Sequence, residues 1–179
     1  MTQKILFLGV PGAGKGTQAK LLENKGFYHI GTGDLIREAF NSNNSLIIKY
    51  KEIINDGGLL PDKLIFKLIE KATSDFSSYI LDGAVRTIDQ AQYALDNKLL
   101  NKVIFFTLTK EEAEKRLLNR NEGRADDNIE SIKKRFEEYN KKTLPIIDFL
   151  KKKGIEVIEI DASPEVEEIH KKVLKVLYL

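Results

Sequence analysis

Short apolar runs alternate along the chain with longer stretches in which apolar residues recur every three or four positions. Five runs have strand length: Lys4–Gly9, Phe27–Ile30, Tyr79–Asp82, Val103–Thr107 and Ile155–Ile160. This alternation is the signature of a parallel α/β sheet. The intervening stretches are amphipathic. Ile129, Ile132, Phe136 and Tyr139, for example, recur at helical spacing through a segment that starts near Asp127. Right-handed crossovers then place helices on both faces of a five-stranded sheet.

One interval breaks the rhythm. About 50 residues separate Ile30 from Tyr79, too many for a single crossover helix. The stretch 31–62 reads as a small helical insertion, closed by Gly57-Gly58 and Pro61. There is no internal repeat or linker. The lysine clusters at 151–153 and 171–172 read as solvated helix faces.

Composition narrows the picture mainly by exclusion. At 179 residues the chain supports one full hydrophobic core. The 29 basic and 27 acidic residues nearly cancel, which gives no reason to expect nucleic acid or an anionic membrane as partner. The chain contains no cysteine, so disulfides and thiolate metal sites are excluded and a cytoplasmic setting is expected. The apolar run Ile5–Val10 is too short for the core of a signal peptide and leads directly into a glycine-rich loop. It reads instead as a first buried strand. No segment approaches the length needed to span a bilayer.

The candidate chemistry begins in that loop. Gly9-Val10-Pro11-Gly12-Ala13-Gly14-Lys15-Gly16-Thr17 follows the first strand and opens a helix. Glycines allow a tight turn that aims backbone N–H groups at phosphate oxygens. The helix N-terminus adds partial positive charge, and Lys15 adds a full one. The usual hydroxyl residue after the lysine is replaced by Gly16, and the hydroxyl comes one position later on Thr17.

That Gly-Lys-Gly-Thr ending, with Pro11-Gly12 before it, resembles the adenylate kinases and their nucleoside-monophosphate kinase relatives. The resemblance covers nearly the whole chain. It implies a P-loop core over 1–30, 63–120 and 127–179, a monophosphate-binding insertion at 31–62 and a short lid at 121–126. It assigns Gly12, Ala13, Gly14, Lys15, Gly16 and Thr17 to ATP, together with Arg116, Arg120 and the turn Ala162-Ser163-Pro164.

For the acceptor AMP it implies Gly31, Thr32 and Arg37, then Gly58, Leu59 and Leu60, then Gly83, Ala84, Val85, Arg86 and Gln90. Arg124 and Arg135 join them from the lid side, beside the acidic pair Asp126 and Asp127. Asp82, helped by Thr17, is expected to hold Mg²⁺ through water. Only three residues lie between Arg120 and Arg124, where long-lid relatives insert a small domain that often carries zinc, so no zinc is expected. Closure of the lid over bound substrates is also implied, a motion for which adenylate kinase is itself a standard example.

The arginines support this reading independently. The chain has 23 lysines and six arginines, and all six arginines (Arg37, Arg86, Arg116, Arg120, Arg124, Arg135) fall on positions the resemblance assigns to nucleotide. A guanidinium makes planar, bidentate hydrogen bonds to phosphate, which an ammonium does not. The residues implied for catalysis are Lys15, Arg86, Arg120, Arg124 and Arg135. Neither His29 nor His170 forms a convincing pair with a carboxylate, and none is required, because an acceptor phosphate is already ionised at neutral pH.

The expected activity is reversible phosphoryl transfer from MgATP to AMP by a monomer, giving two ADP. UMP/CMP kinase is the alternative within the class, and a nucleotide-binding regulatory protein that has lost its chemistry is the alternative outside it. A switch GTPase is disfavoured by the lack of an Asn-Lys-x-Asp run. One departure stands out: Gly83-Ala84-Val85-Arg86 replaces the family's Gly-aromatic-Pro-Arg, whose proline follows a cis bond. A cis bond before valine costs about 2.5–4 kcal/mol, against about 0.5–1 before proline. A trans Ala84–Val85 bond is therefore expected, with weaker AMP binding than the usual residues would give.

Overall fold

The computed structural model describes residues 2–41, 48–55, 59–119 and 128–179. Its strands are β1 (Lys4–Gly9), β2 (Tyr28–Gly31), β3 (Tyr79–Asp82), β4 (Lys102–Thr107) and β5 (Glu156–Asp161). They pair throughout in parallel, in the order β2-β3-β1-β4-β5. The helices are α1 (Lys15–Glu23), α2 (Thr32–Asn41), α3 (Lys51–Asn55), α4 (Asp62–Thr73), α5 (Ile88–Asp96), α6 (Lys110–Leu118), α7 (Ile129–Glu138), α8 (Pro145–Lys152) and α9 (Val166–Leu177). None of the described helices is long and apolar enough to cross a membrane.

The α/β class and two of the strand ranges agree with the sequence reading; two strands start one residue later than expected. Phe27 is still tied to the end of α1 through its N–H to Leu22 O, at 3.4 Å. Ile155 is likewise held in the turn after α8, donating to Leu150 O at 3.1 Å. Apolar character alone does not separate such a residue from the strand that follows it.

Alternation along β1 divides the core into two layers. Ile5 and Phe7 face one side with Ile80, Ile104, Phe106 and Ile160, covered by α1, α6, α7 and α9. Leu6 and Leu8 face the other with Ile30, Leu81 and Val103, covered by α4, α5 and α8. In α7, Ile132 and Phe136 are buried as their spacing predicts, but Ile129 at the helix start is 61% exposed.

Between α7 and α8 the helix widens into a π turn, Tyr139–Thr143, closed by Leu144 N–H to Tyr139 O at 2.8 Å. Pro145 has no N–H to donate, and its ring crowds the carbonyl four residues back, so the preceding turn does not continue as α-helix.

Phe106 is fully buried and meets Phe7 edge to face, with centroids 5.0 Å apart. Phe106→Ala should cost about 3–5 kcal/mol of stability through lost burial and the cavity left behind. Urea unfolding checks this through a lower midpoint at unchanged slope.

Candidate active site

The parallel arrangement brings the carboxyl ends of the strands to one edge, and a cleft of about 780 Å³ opens there. The loop after β1 forms its floor. Gly12 takes φ +88°, and a Cβ there would stand 2.7 Å from the carbonyl oxygen of Ala113, so no other residue fits without displacing α6. Gly14 caps α1 with no side chain, which leaves the first-turn N–H groups of the helix to an anion in the cleft. Gly12, Gly14, Lys15, Gly16 and Thr17 line the cleft, whereas Ala13 packs into the core. The Lys15 ammonium donates to the carbonyls of Gly9 and Val10 at 2.8 and 3.0 Å, which holds it over the loop.

Asp82 ends β3 opposite this loop. Its register partners are Phe7 on β1 and Gly31 on β2. Burial pushes its carboxyl up, but His29, Lys15 and Arg86 together outweigh burial and hold it below the usual carboxylate value. His29 Nε2 stands 3.6 Å away, too far for a full hydrogen bond, and it has no other partner. A Cβ on Gly16 would lie 3.2 Å from Asp82 Oδ2, so glycine keeps the space beside the carboxylate open.

The segment after Asp82 turns sharply into the cleft. The Ala84–Val85 bond is trans, since the described residues contain no cis peptide. Arg86 nevertheless lines the cleft, its Nε donating to Gly83 O at 2.9 Å. A Cβ on Gly83 would come within 3.0 Å of the guanidinium, so glycine allows the arginine to lie across the loop. Thr143 Oγ1, from the π turn, donates to Arg86 O at 3.0 Å. Ala84 is fully buried, so the aromatic ring that the resemblance implies at this position would have to sit inside the core.

Of the remaining expected acceptor residues, Gly31, Arg37, Leu59 and Val85 line the cleft. Arg37 pairs with Asp34 at 2.5 Å. Thr32 is 2% exposed, and its hydroxyl has no hydrogen-bond partner. Leu60 is buried in the core, and Gln90 is buried with its Oε1 accepting from the Arg86 N–H.

On the donor side, Arg116 grips the turn after β5, donating to Ala162 O at 2.8 Å and Ser163 O at 3.0 Å while pairing with Glu112. Pro164 lines the cleft, and Ala162 is buried. Arg135 reaches the cleft from α7 beside Tyr139, whose phenol is pushed up to about 12 by burial and stays neutral. Gly58, Arg120, Arg124, Asp126 and Asp127 lie outside the described residues.

Some participants were not anticipated. Gln18 is buried, donates to Val166 O at 2.9 Å and meets His170 Nδ1 at 3.0 Å, which ties the phosphate-loop helix to α9. Because Gln18 Nε2 is spent on a carbonyl, its Oε1 faces the imidazole and Nδ1 carries the proton. Burial and nearby Lys25 hold His170 below its usual value. Gln18 is a polar residue on a helix, and nothing near it in the sequence marks it as buried.

A glycine-rich loop carrying a lysine, a carboxylate at the adjacent strand end and arginines converging from several elements define a P-loop nucleotide phosphotransferase. The adenylate kinase family model matches residues 7–155. The chain is 40% identical over 185 aligned positions to an adenylate kinase of Leptospira biflexa serovar Patoc, covering 97% of this chain and 98% of that protein. It is 40% identical over 177 positions to an adenylate kinase of Prochlorococcus marinus strain MIT 9211, covering 94% of each. It is also 35% identical over 175 positions to UMP-CMP kinase 1 of Oryza sativa subsp. japonica, covering 94% of this chain and 71% of that one. The chain belongs to the adenylate kinase family, which makes it a nucleoside-monophosphate kinase.

Asp82 also gives the site a pH signature. Its folded carboxyl lies below the unfolded value near 3.9, so its charge stabilises the fold above that pH. That stability is lost as pH falls below about 4 through the folded value. In Asp82→Asn the dependence should be shallower than in wild type, read as the urea midpoint between neutral pH and pH 3.

Proposed function

We propose that the chain transfers a phosphoryl group reversibly from ATP, as its magnesium complex, to AMP, giving two ADP. The observation that carries this reading is the convergence of charge. Each of the four arginines among the described residues (Arg37, Arg86, Arg116 and Arg135) lines the same cleft as Lys15.

Phosphoryl transfer asks little covalent work of a protein, so positioning and charge stabilisation carry the catalysis. Lys15 and the first turn of α1 bind the donor's terminal phosphates. Arg116 and the turn Ala162-Ser163-Pro164 seat the donor base. Arg37 and Arg86 grip the acceptor phosphate, and Arg120, Arg124 and Arg135 surround the group in transit. The acceptor oxygen is already ionised at neutral pH and needs no general base.

The surroundings of Asp82 suit a hydrated divalent cation: one ionised carboxylate, open space beside Gly16 and the Thr17 hydroxyl on the same cleft. Magnesium held there would neutralise charge on the donor phosphates.

The acceptor base is adenine in this reading. Thr32 brings a buried hydroxyl that still needs a partner, and Gln90 brings an amide able to donate and accept. Residues 31–62 form the acceptor-binding insertion, with Gly58, Leu59 and Leu60 beside the base, and 121–126 form a zinc-free short lid. The protein acts as a cytoplasmic monomer.

ADP formation from ATP with AMP, GMP, UMP or CMP, with and without magnesium, tests the assignment. AMP should be the preferred acceptor and turnover should require the metal. Preference for UMP or CMP, or no transfer to any monophosphate, overturns it. Lys15→Ala should lower kcat by about 10²–10³-fold, the loss typical of removing one charge-stabilising donor, while the thermal midpoint stays close to wild type.

A further inference from the structure

Gln90 is 3% exposed, and protein groups hold both ends of its amide. Oε1 accepts from the Arg86 backbone N–H at 2.6 Å, and Nε2 donates to Asp62 Oδ1 at 2.6 Å. Thr87 fixes the base of the side chain, its Oγ1 accepting from Gln90 N at 3.2 Å at the start of α5.

The two partners are chemically opposite. A backbone N–H only donates and an ionised carboxylate only accepts. Turning the amide over would set NH₂ against N–H and carbonyl against carboxylate, leaving two buried contacts unmatched. Its orientation is therefore dictated by its neighbours. Once both bonds are made, one N–H and one Oε1 lone pair remain for a ligand.

The consequence rests on the reading above, in which Gln90 faces the acceptor base. Adenine presents an amino donor next to a ring-nitrogen acceptor. A 6-oxopurine presents the reverse, a carbonyl acceptor next to a ring N–H. An amide free to turn over satisfies either base, whereas one clamped at both ends matches only one of them.

We propose that Asp62 is a specificity-determining positioning residue. By holding Nε2 of Gln90 it fixes the amide orientation, and so sets the preference for a 6-aminopurine monophosphate over a 6-oxopurine one. Asp62 opens α4, directly after the segment assigned to the acceptor, while the other half of the clamp belongs to the loop carrying Arg86. The backbone half cannot be removed by substitution. Asp62 can.

The test compares kcat/KM for AMP and GMP, and KM for ATP, in wild type, Asp62→Ala, Asp62→Leu and Asp62→Asn. Thermal unfolding of each variant runs alongside. Alanine removes the clamp, leucine removes it at similar volume, and asparagine keeps an acceptor oxygen in place. The AMP:GMP ratio should fall about 10–150-fold in Asp62→Ala and Asp62→Leu, the loss expected for one hydrogen bond to a charged group. The fall should come mainly from a higher KM for AMP, with KM for ATP within about twofold. Asp62→Asn should restore most of the ratio.

A lower thermal midpoint with an unchanged ratio would mean that Asp62 serves only the fold, which overturns the proposal. Asp62→Asn behaving like Asp62→Ala overturns it as well, because charge rather than an acceptor would then matter. A wild type with no preference for AMP overturns the underlying reading and the proposal together. An AMP-selective wild type with an unchanged ratio in the variants overturns the proposal alone.

Discussion

Parallel pairing of β1 with β3 and β4 is the constraint on which everything else in this molecule depends. Because all five strands run the same way, their carboxyl ends share one edge, and residues far apart in the chain meet there. The register places Asp82 beside Phe7 and Gly31. The loop that begins at Gly9 is thereby set between the carboxylate after β3 and the elements that follow β4. The apolar residues of β1 fix this geometry from both faces: Ile5 and Phe7 anchor one layer, Leu6 and Leu8 the other. Shifting β1 by one residue would exchange these faces and move the phosphate loop relative to Asp82.

Cations and carboxylates both line the cleft, and the protein's own oxygens hold the cations in place. Lys15 rests on two loop carbonyls, Arg86 on Gly83, Arg116 on the turn after β5, and Arg37 on Asp34. Carbonyls orient a cation without cancelling its charge, as at Lys15 and Arg86, whereas Arg37 and Arg116 also meet the carboxylates of Asp34 and Glu112. Asp82 is the counterweight. Burial opposes its ionisation, and the neighbouring cations outweigh that penalty, so their charge and that of Asp82 sustain one another. Arginine suits such sites better than lysine because its fork can bind a carbonyl on one edge and present the other.

Much of this was legible in the sequence because it is local. The Gly-Lys-Gly-Thr loop, the carboxylate ending β3 and the trans Ala84–Val85 bond each depend on residues within a few positions of one another. The supports of the site are not local. Gln90 finds Asp62 across 28 positions, Thr143 finds Arg86 across 57, and Gln18 finds His170 across 152. Each is a common polar residue whose own neighbourhood suggests only a helix face or a helix start. Asp62, in the first turn of a helix, reads as ordinary dipole complementation, and nothing near it points to Gln90. The one-residue shifts of β2 and β5 have a local origin: the turn bonds from Phe27 N–H to Leu22 O and from Ile155 N–H to Leu150 O leave no apolar signature.

The Gly83-Ala84-Val85-Arg86 departure shows how packing and site geometry bear on each other. With Ala84 fully buried and Val85 nearly so, the loop is part of the core that covers one face of the sheet. A large ring at position 84 would have to be taken into this buried cluster, and overpacking a core costs about 1–3 kcal/mol in typical cases. The small residues are therefore matched to their surroundings. Arg86 keeps its place in the cleft through bonds that do not depend on the loop's apolar residues: Gly83 O at its side chain, Gln90 at its N–H and Thr143 at its carbonyl. Where the resemblance implies a proline that aims the arginine, this chain holds the residue from its own loop and from two other elements. Its aim therefore depends on how the loop after β3, α5 and the π turn pack against one another.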